Sequence, residues 1–219
     1  MARKDTLIKL KEQENKKRKK VIVDVARDIF RTMDFDEVSM RVIAQDIGVA
    51  PSSIYTYFES RKALCEEIVY QDSAGFISSL RKKVRSASKP ALNLIINHFI
   101  DYFTAHEHQL RMISYVGLDG WDQKFHASIK KIIDIIEDTL VGQGDTGDTR
   151  AMAREIFLFL SGMLMAAPKY PWKTHADRLA HLRQMGRMIE AMPALIMEPG
   201  AGFPSVDGSE ESSGEKRTA

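Results

Sequence analysis

Cysteine is almost missing from this 219-residue chain, with Cys65 the sole example. One thiol excludes an intramolecular disulfide framework and fits a reducing compartment; in its apolar helical surroundings Cys65 reads as a small buried side chain. A metal site lacks support too. There is no second cysteine and no His-Glu-x-x-His spacing, and His106 and His108, two positions apart, fall on different helix faces. No apolar run approaches the roughly 18 residues of a membrane span. The opening MARKDTLIKLKEQENKKRKK is basic without the apolar stretch of a secretory signal, so a cytoplasmic protein with no membrane partner is expected. Segments of period two are absent, as are internal repeats. Gly142-Gln-Gly-Asp-Thr-Gly147 has the spacing of a dinucleotide fingerprint but no preceding strand, which leaves it an interhelical loop. No nucleophile stands beside a base, so neither catalytic residues nor a cofactor are expected.

What is present is helical periodicity and an uneven charge. The net charge is only +2, yet residues 1–62 carry 14 Lys/Arg against 10 Asp/Glu, and the remainder is slightly acidic. The basic end is the one suited to a polyanion. Residues 1–19 are expected as a basic flexible arm or a frayed helix start. From Lys20 the apolar residues Val21, Val25, Ala26, Ile29, Phe30 and Met33 recur at helical spacing. Ser39 is placed to cap a second helix with Ile43, Ala44 and Ile47 on its inner side. Gly48 follows where a left-handed turn residue is needed, and Pro51 suits the first turn of a short helix ending near Tyr57. Ser60 can cap a long helix over 61–84. Further helices are predicted over 91–106, 109–116, 123–141, 149–167 and 176–192, with Pro193 a kink or stop. The Gly/Ser/Glu-rich 199–219 reads as a disordered tail. The fold class is all-α.

Helix, glycine-centred turn and helix over 39–57 fit a helix-turn-helix. Ala44 permits close crossing, while Val49 and Ile54 can anchor the second helix on the first. The stretch Ile43-Ala44, Gly48-Val49, Ile54-Tyr55-Thr56-Tyr57-Phe58 and Ser60-Arg61-Lys62-Ala63-Leu64 resembles the signature of the tetracycline-repressor (TetR) family. The resemblance spans about Lys20 to Leu64. Two positions depart from it: Asp34-Phe35 replaces the usual glycine after the first helix, and Arg61 replaces the usual lysine opening the fourth. The resemblance implies a DNA-binding head at 20–62 and a helical dimerisation and ligand-binding domain at 63–198. It further implies phosphate contacts from Ser39, Tyr55 and Arg61, and base-edge or backbone contacts from Arg41, Pro51, Ser52, Ser53 and Tyr57. That division suits their chemistry, since hydroxyls hold register on phosphates while arginine can bind guanine bidentately.

For the second domain the resemblance implies that the last two helices pair with a second copy. Ile156–Leu160 is apolar almost all round, which fits that role as well as it fits a wholly buried helix. Phe159, Leu182, Met185 and Ile189 are the expected homodimer seam. His98, Phe99, Tyr102, Phe103, Met112, Tyr115, Trp121 and Phe125 could line a pocket for a small apolar or aromatic effector, or simply fill the core. The expected function is a dimeric transcription regulator, most naturally a repressor, on double-stranded operator DNA. A ligand-independent DNA-organising or protein-recruiting factor on the same scaffold remains open, and an enzyme is the remoter alternative.

Overall fold

The structure, a computed structural model, describes residues 2–88, 91–117, 123–144 and 147–196. It is built from nine α-helices among the described residues: α1 (Ala2–Thr32), α2 (Met40–Ile47), α3 (Pro51–Tyr55), α4 (Arg61–Ser86), α5 (Leu92–Ala105), α6 (Glu107–Val116), α7 (Gln123–Gln143), α8 (Thr149–Ala166) and α9 (His175–Ile196). No strand occurs among those residues.

The first departure from expectation is at the start. The segment expected as a flexible arm continues α1 as one helix of 31 residues, about 46 Å long at 1.5 Å per residue. Residues 2–33 contain neither glycine nor proline, and lysine, arginine and glutamate are good helix formers. Pairs one turn apart reinforce it, Glu14 with Arg18 at 2.6 Å and Lys20 with Asp24 at 2.5 Å. Pro193 is the opposite case. It sits inside the last turn of α9, which runs on to Ile196, so the missing amide forfeits a single bond near a helix end.

Two apolar cores divide the chain. The first joins α1, α2 and α3 around Val23, Ala26, Ile43, Ala44, Ile54 and Phe58. These three helices do not close it alone. Leu64, Cys65, Ile68 and Val69 of α4 complete it, together with Met112 and Val116 of α6. Cys65 is a free, fully buried thiol, and burial pushes its pKa up to about 12. Val49, expected as an anchor, is exposed, and Ile54 alone of the pair is buried. The second core packs α4, α5, α7, α8 and α9 around Phe76, Phe99, Ile136, Ile156, Leu160 and Leu182. Each fully buried aliphatic side chain here contributes about 1.5–3 kcal/mol.

The stretch Thr149–Lys169 is the one among the described residues long and apolar enough to cross a membrane. Its inner side, with Ile156, Leu160 and Leu164, is spent on the second core. Its outer side leaves Leu158 65% and Phe159 55% exposed. The run that looked apolar all round therefore faces two ways.

Candidate nucleic-acid interface and neighbouring cavity

A serine cap and one glycine set the geometry of the head. Ser39 Oγ accepts from the Val42 amide at 3.3 Å and starts α2. Gly48 takes φ +78°, and its N–H reaches the Ala44 and Gln45 carbonyls. That left-handed residue stops α2 and lets Pro51 open α3 three residues later. Ile54 pins α3 by its fully buried side chain, leaving Pro51, Ser52, Ser53 and Tyr55 on the outside, Tyr55 52% exposed. Ser39 and Arg41 are exposed as well. Thr56 joins them, its hydroxyl donating to the Ser52 carbonyl at 3.3 Å. The helix stops at Tyr55 and Thr56 is its exposed cap, which adds a hydroxyl to the contacts that the resemblance implied.

Tyr57 is half-buried against the head core and close enough to Arg18 to help raise that guanidinium's pKa, after the larger effect of Glu14. The basic end of α1 therefore runs beside the C-terminal end of α3. Lys19 completes the junction, 3.1 Å from Glu67 and 5.0 Å from the Phe58 ring centre.

Arg61 does not take the outward position expected of a phosphate contact. Its guanidinium lies 4.3 Å from the Phe35 ring centre, 4.8 Å from Tyr115 and 5.7 Å from Phe30, and one terminal nitrogen donates to the Phe35 carbonyl at 2.6 Å. Its Nε is buried without a partner among the described residues. The two positions that departed from the family pattern thus touch each other. A planar cation fits between flat rings where a lysine would present a point charge, and Phe35 supplies both a ring and a carbonyl. Tyr115, expected at a pocket, belongs to this cage instead and is partly exposed.

A cavity of about 410 Å³ lies between α4, α5, α6, α7 and α8, within the roughly 300–1,000 Å³ usual for small-molecule sites. Phe99, Phe103 and Phe125 line it as expected, with Phe76, Ile129 and Ile132 added. The other expected residues are elsewhere. His98 stacks on Phe76 at 5.6 Å, its Nε2 2.9 Å from the Ser79 hydroxyl, and burial lowers its pKa. Tyr102 stacks on His106 at 4.3 Å. Met112 is fully buried in the head core, and Trp121 lies outside the described residues. Helical spacing groups residues by face but cannot say which of two cores a face meets, and α6 meets both.

That division of α6 matters. Gln109, Leu110 and Ile113 line the cavity, while Met112 and Val116 belong to the head core. Gln109 is buried; its Nε2 donates to Asp72 at 3.0 Å, and the same carboxylate accepts from Arg27 of α1 at 2.8 Å. A cavity-lining amide is therefore two hydrogen bonds from the first helix of the head. Among the described residues no group of three or more His, Cys, Asp or Glu could hold a metal ion.

Residues 22–68 match the family model for bacterial regulatory proteins of the tetR family. The likeness to the TetR family rests on this head. Over 81 residues it is 28% identical to the HTH-type transcriptional regulator UidR of Escherichia coli K12, a stretch covering 37% of this chain and 36% of the relative. The chain thus matches only about a third of that curated relative's length. The fold likeness extends further. A TetR-family transcriptional regulator from Pectobacterium atrosepticum superposes with a TM-score of 0.69 at 17% identity, over 85% of this chain and 98% of the other. The transcriptional regulator FadR from Bacillus subtilis, in complex with stearoyl-CoA, gives 0.59 at 20% identity, over 78% and 96%. At such identities these likenesses show the shared fold alone, a helix-turn-helix head on a helical domain. On the family's dimer pair the structure qualifies the expectation from sequence. Leu182 and Ile189 are only 1% and 5% exposed within one copy, and Met185 packs on the same core. Phe159 is exposed, and the outward apolar neighbours on α8 and α9 are Leu158 and Met188.

Proposed function

We propose that this protein is a transcription regulator of the repressor kind, which binds operator DNA in the cytoplasm as a homodimer and lets go when an apolar effector enters the cavity. One observation carries the reading: α6 lines the cavity with Gln109, Leu110 and Ile113 and closes the DNA-binding head with Met112 and Val116. A ligand that prefers a shifted α6 would shift the head as well, and only such differential affinity moves an equilibrium. The exposed Ser39, Arg41, Pro51, Ser52, Ser53 and Tyr55 form the reading surface, with hydroxyls for phosphates and Arg41 for a base edge. Two heads are needed because one short recognition helix reads too few bases; half-sites about 34–36 Å apart suit a dimer. The apolar stripe of Leu158, Phe159 and Met188 is the surface offered for pairing.

The cavity favours this reading over a ligand-independent DNA-organising factor, which needs no internal space beside its head. Operator fragments selected from the source genome, titrated by mobility shift with and without long-chain acyl compounds, test it. Specific binding relieved by such a compound is the expected outcome. Specific binding indifferent to every compound that occupies the cavity would favour the ligand-independent factor. Tyr55→Phe should weaken specific binding roughly tenfold, since a hydrogen bond to a charged group contributes about 1.5–3 kcal/mol.

A further inference from the structure

A second hollow, an open groove of about 670 Å³, runs along the outer side of the α4–α7 contact. Its chemistry is opposite to the cavity's. Arg81, Lys82 and Arg85 of α4 and Lys131 of α7 converge on it, with the hydroxyls of Ser78 and Ser86 between them. All four cations are exposed, and none takes part in an ion pair among the described residues. Cations in the last turn of α4 are favoured by its dipole, which accounts for Arg85. It does not account for Lys131, which arrives from another helix onto the same space.

Groove and cavity share a wall. Ser128 lines both, and Ser73, which lines the cavity, donates to it at 3.1 Å. At this wall two small hydroxyl side chains stand between the cationic surface and the apolar interior, each tied to its own helix, Ser73 to the Tyr70 carbonyl at 2.7 Å and Ser128 to the Lys124 carbonyl at 3.3 Å, and joined to each other by one neutral hydrogen bond. A polar linking group could take over that bond. We propose that the α4–α7 groove binds the phosphate-bearing head of an amphiphilic effector whose acyl chain occupies the adjoining cavity. This rests on the reading of the cavity as the effector site. Four unpaired cations on two helices suit the several negative charges of a phosphorylated head, and charge-assisted bonds to phosphate are the strong ones. The chemistry is shared by a nucleotide-linked acyl thioester and by a single-phosphate lipid.

Calorimetric titration of the full chain separates these cases. The probes are stearoyl-CoA, stearate, lysophosphatidic acid with the same chain, and CoA alone. The variants are the R81Q/K131Q pair, in which both changed side chains are exposed, and I129W, which fills the cavity; circular dichroism checks their folding. Stearoyl-CoA should bind more tightly than stearate, R81Q/K131Q should weaken it about thirtyfold, and stearate should be unaffected. Stronger binding of lysophosphatidic acid than of stearoyl-CoA, equally weakened by R81Q/K131Q, supports the groove and names the lipid as its ligand. Equal binding of stearate and stearoyl-CoA, both indifferent to R81Q/K131Q and both lost in I129W, overturns the groove while leaving the cavity reading intact. Binding of CoA that the acyl chain does not improve overturns the link between the two hollows. If no chain-bearing probe binds, the cavity reading fails and the proposal with it.

Discussion

Replacing Arg61 with alanine tests the inward reading of this residue against the outward one that the family resemblance implied. The guanidinium donates to the Phe35 carbonyl at 2.6 Å and sits 4.3 Å and 4.8 Å from two ring centres. A hydrogen bond from a charged group contributes about 1.5–3 kcal/mol, and a partly desolvated cation–π contact about 0.5–2 kcal/mol. Since one group makes all of them, the contributions do not simply add, and a loss of about 3 kcal/mol is expected. Arg61→Lys keeps the charge without the planar fork and should lose about half of that. Total stabilities are commonly about 5–15 kcal/mol, so both variants should remain folded at room temperature. Urea unfolding followed by far-ultraviolet dichroism measures the loss, and fluorescence anisotropy on operator DNA is the companion assay. Because Tyr115 belongs to α6, destabilisation should come with a weakened link between effector and DNA rather than a uniform fall in DNA affinity. Unchanged stability in both variants, together with a tenfold fall in DNA affinity, would refute the cage and return Arg61 to the phosphate.

Three further outcomes are expected. Gly186→Ala places a Cβ 2.7 Å from Ile96 Cγ2 and 3.2 Å from Ile100 Cδ1; the β-branched Ile96 cannot swing away, so overpacking of about 1–3 kcal/mol outweighs a propensity gain of about 1 kcal/mol, and a melting temperature equal to or above the parent's would show that α5 and α9 can separate freely. Changing Leu158 and Phe159 together to glutamate should leave one copy folded, because both are exposed, and abolish dimers in light scattering; a folded dimer would put the seam elsewhere. For pH, burial lowers the folded pKa of His98 from 6.5, so the unfolded chain binds the proton first and stability falls as pH drops below about 6.5. His98→Phe should flatten part of that slope between pH 7 and 5, leaving the share of His108, whose pKa burial also lowers, while the lowered carboxylates Asp24, Glu67 and Asp134 act in a separate window near and below pH 4.5; an unaltered slope would remove His98 as a contributor.

Most of the head could be read without coordinates because its determinants are local. Ser39 and Ser60 are caps, Gly48 is a left-handed turn and Pro51 is a first-turn residue; each acts within four residues of itself, so spacing along the chain is spacing in space. The helical class followed from period and from the missing strand signals in the same way. Where local signals are silent, reading failed in a consistent direction. The basic arm looked disordered by charge, yet nothing in residues 2–33 breaks a helix, and α1 runs through it.

What only tertiary structure decided is which face meets what. Leu182, Met185 and Ile189 sit at sound helical spacing, but whether an apolar stripe meets its own chain or a second copy depends on where α5 and α8 lie, and here they take it. Phe99 and Phe103 reached the cavity while Met112 and Tyr115 reached the head, although all four read alike as apolar helix residues. Asp34-Phe35 and Arg61 looked like two unrelated departures 26 residues apart. Folding places them in contact, since a side chain's partner across the chain is set by packing, and no rule of spacing along the sequence can supply it.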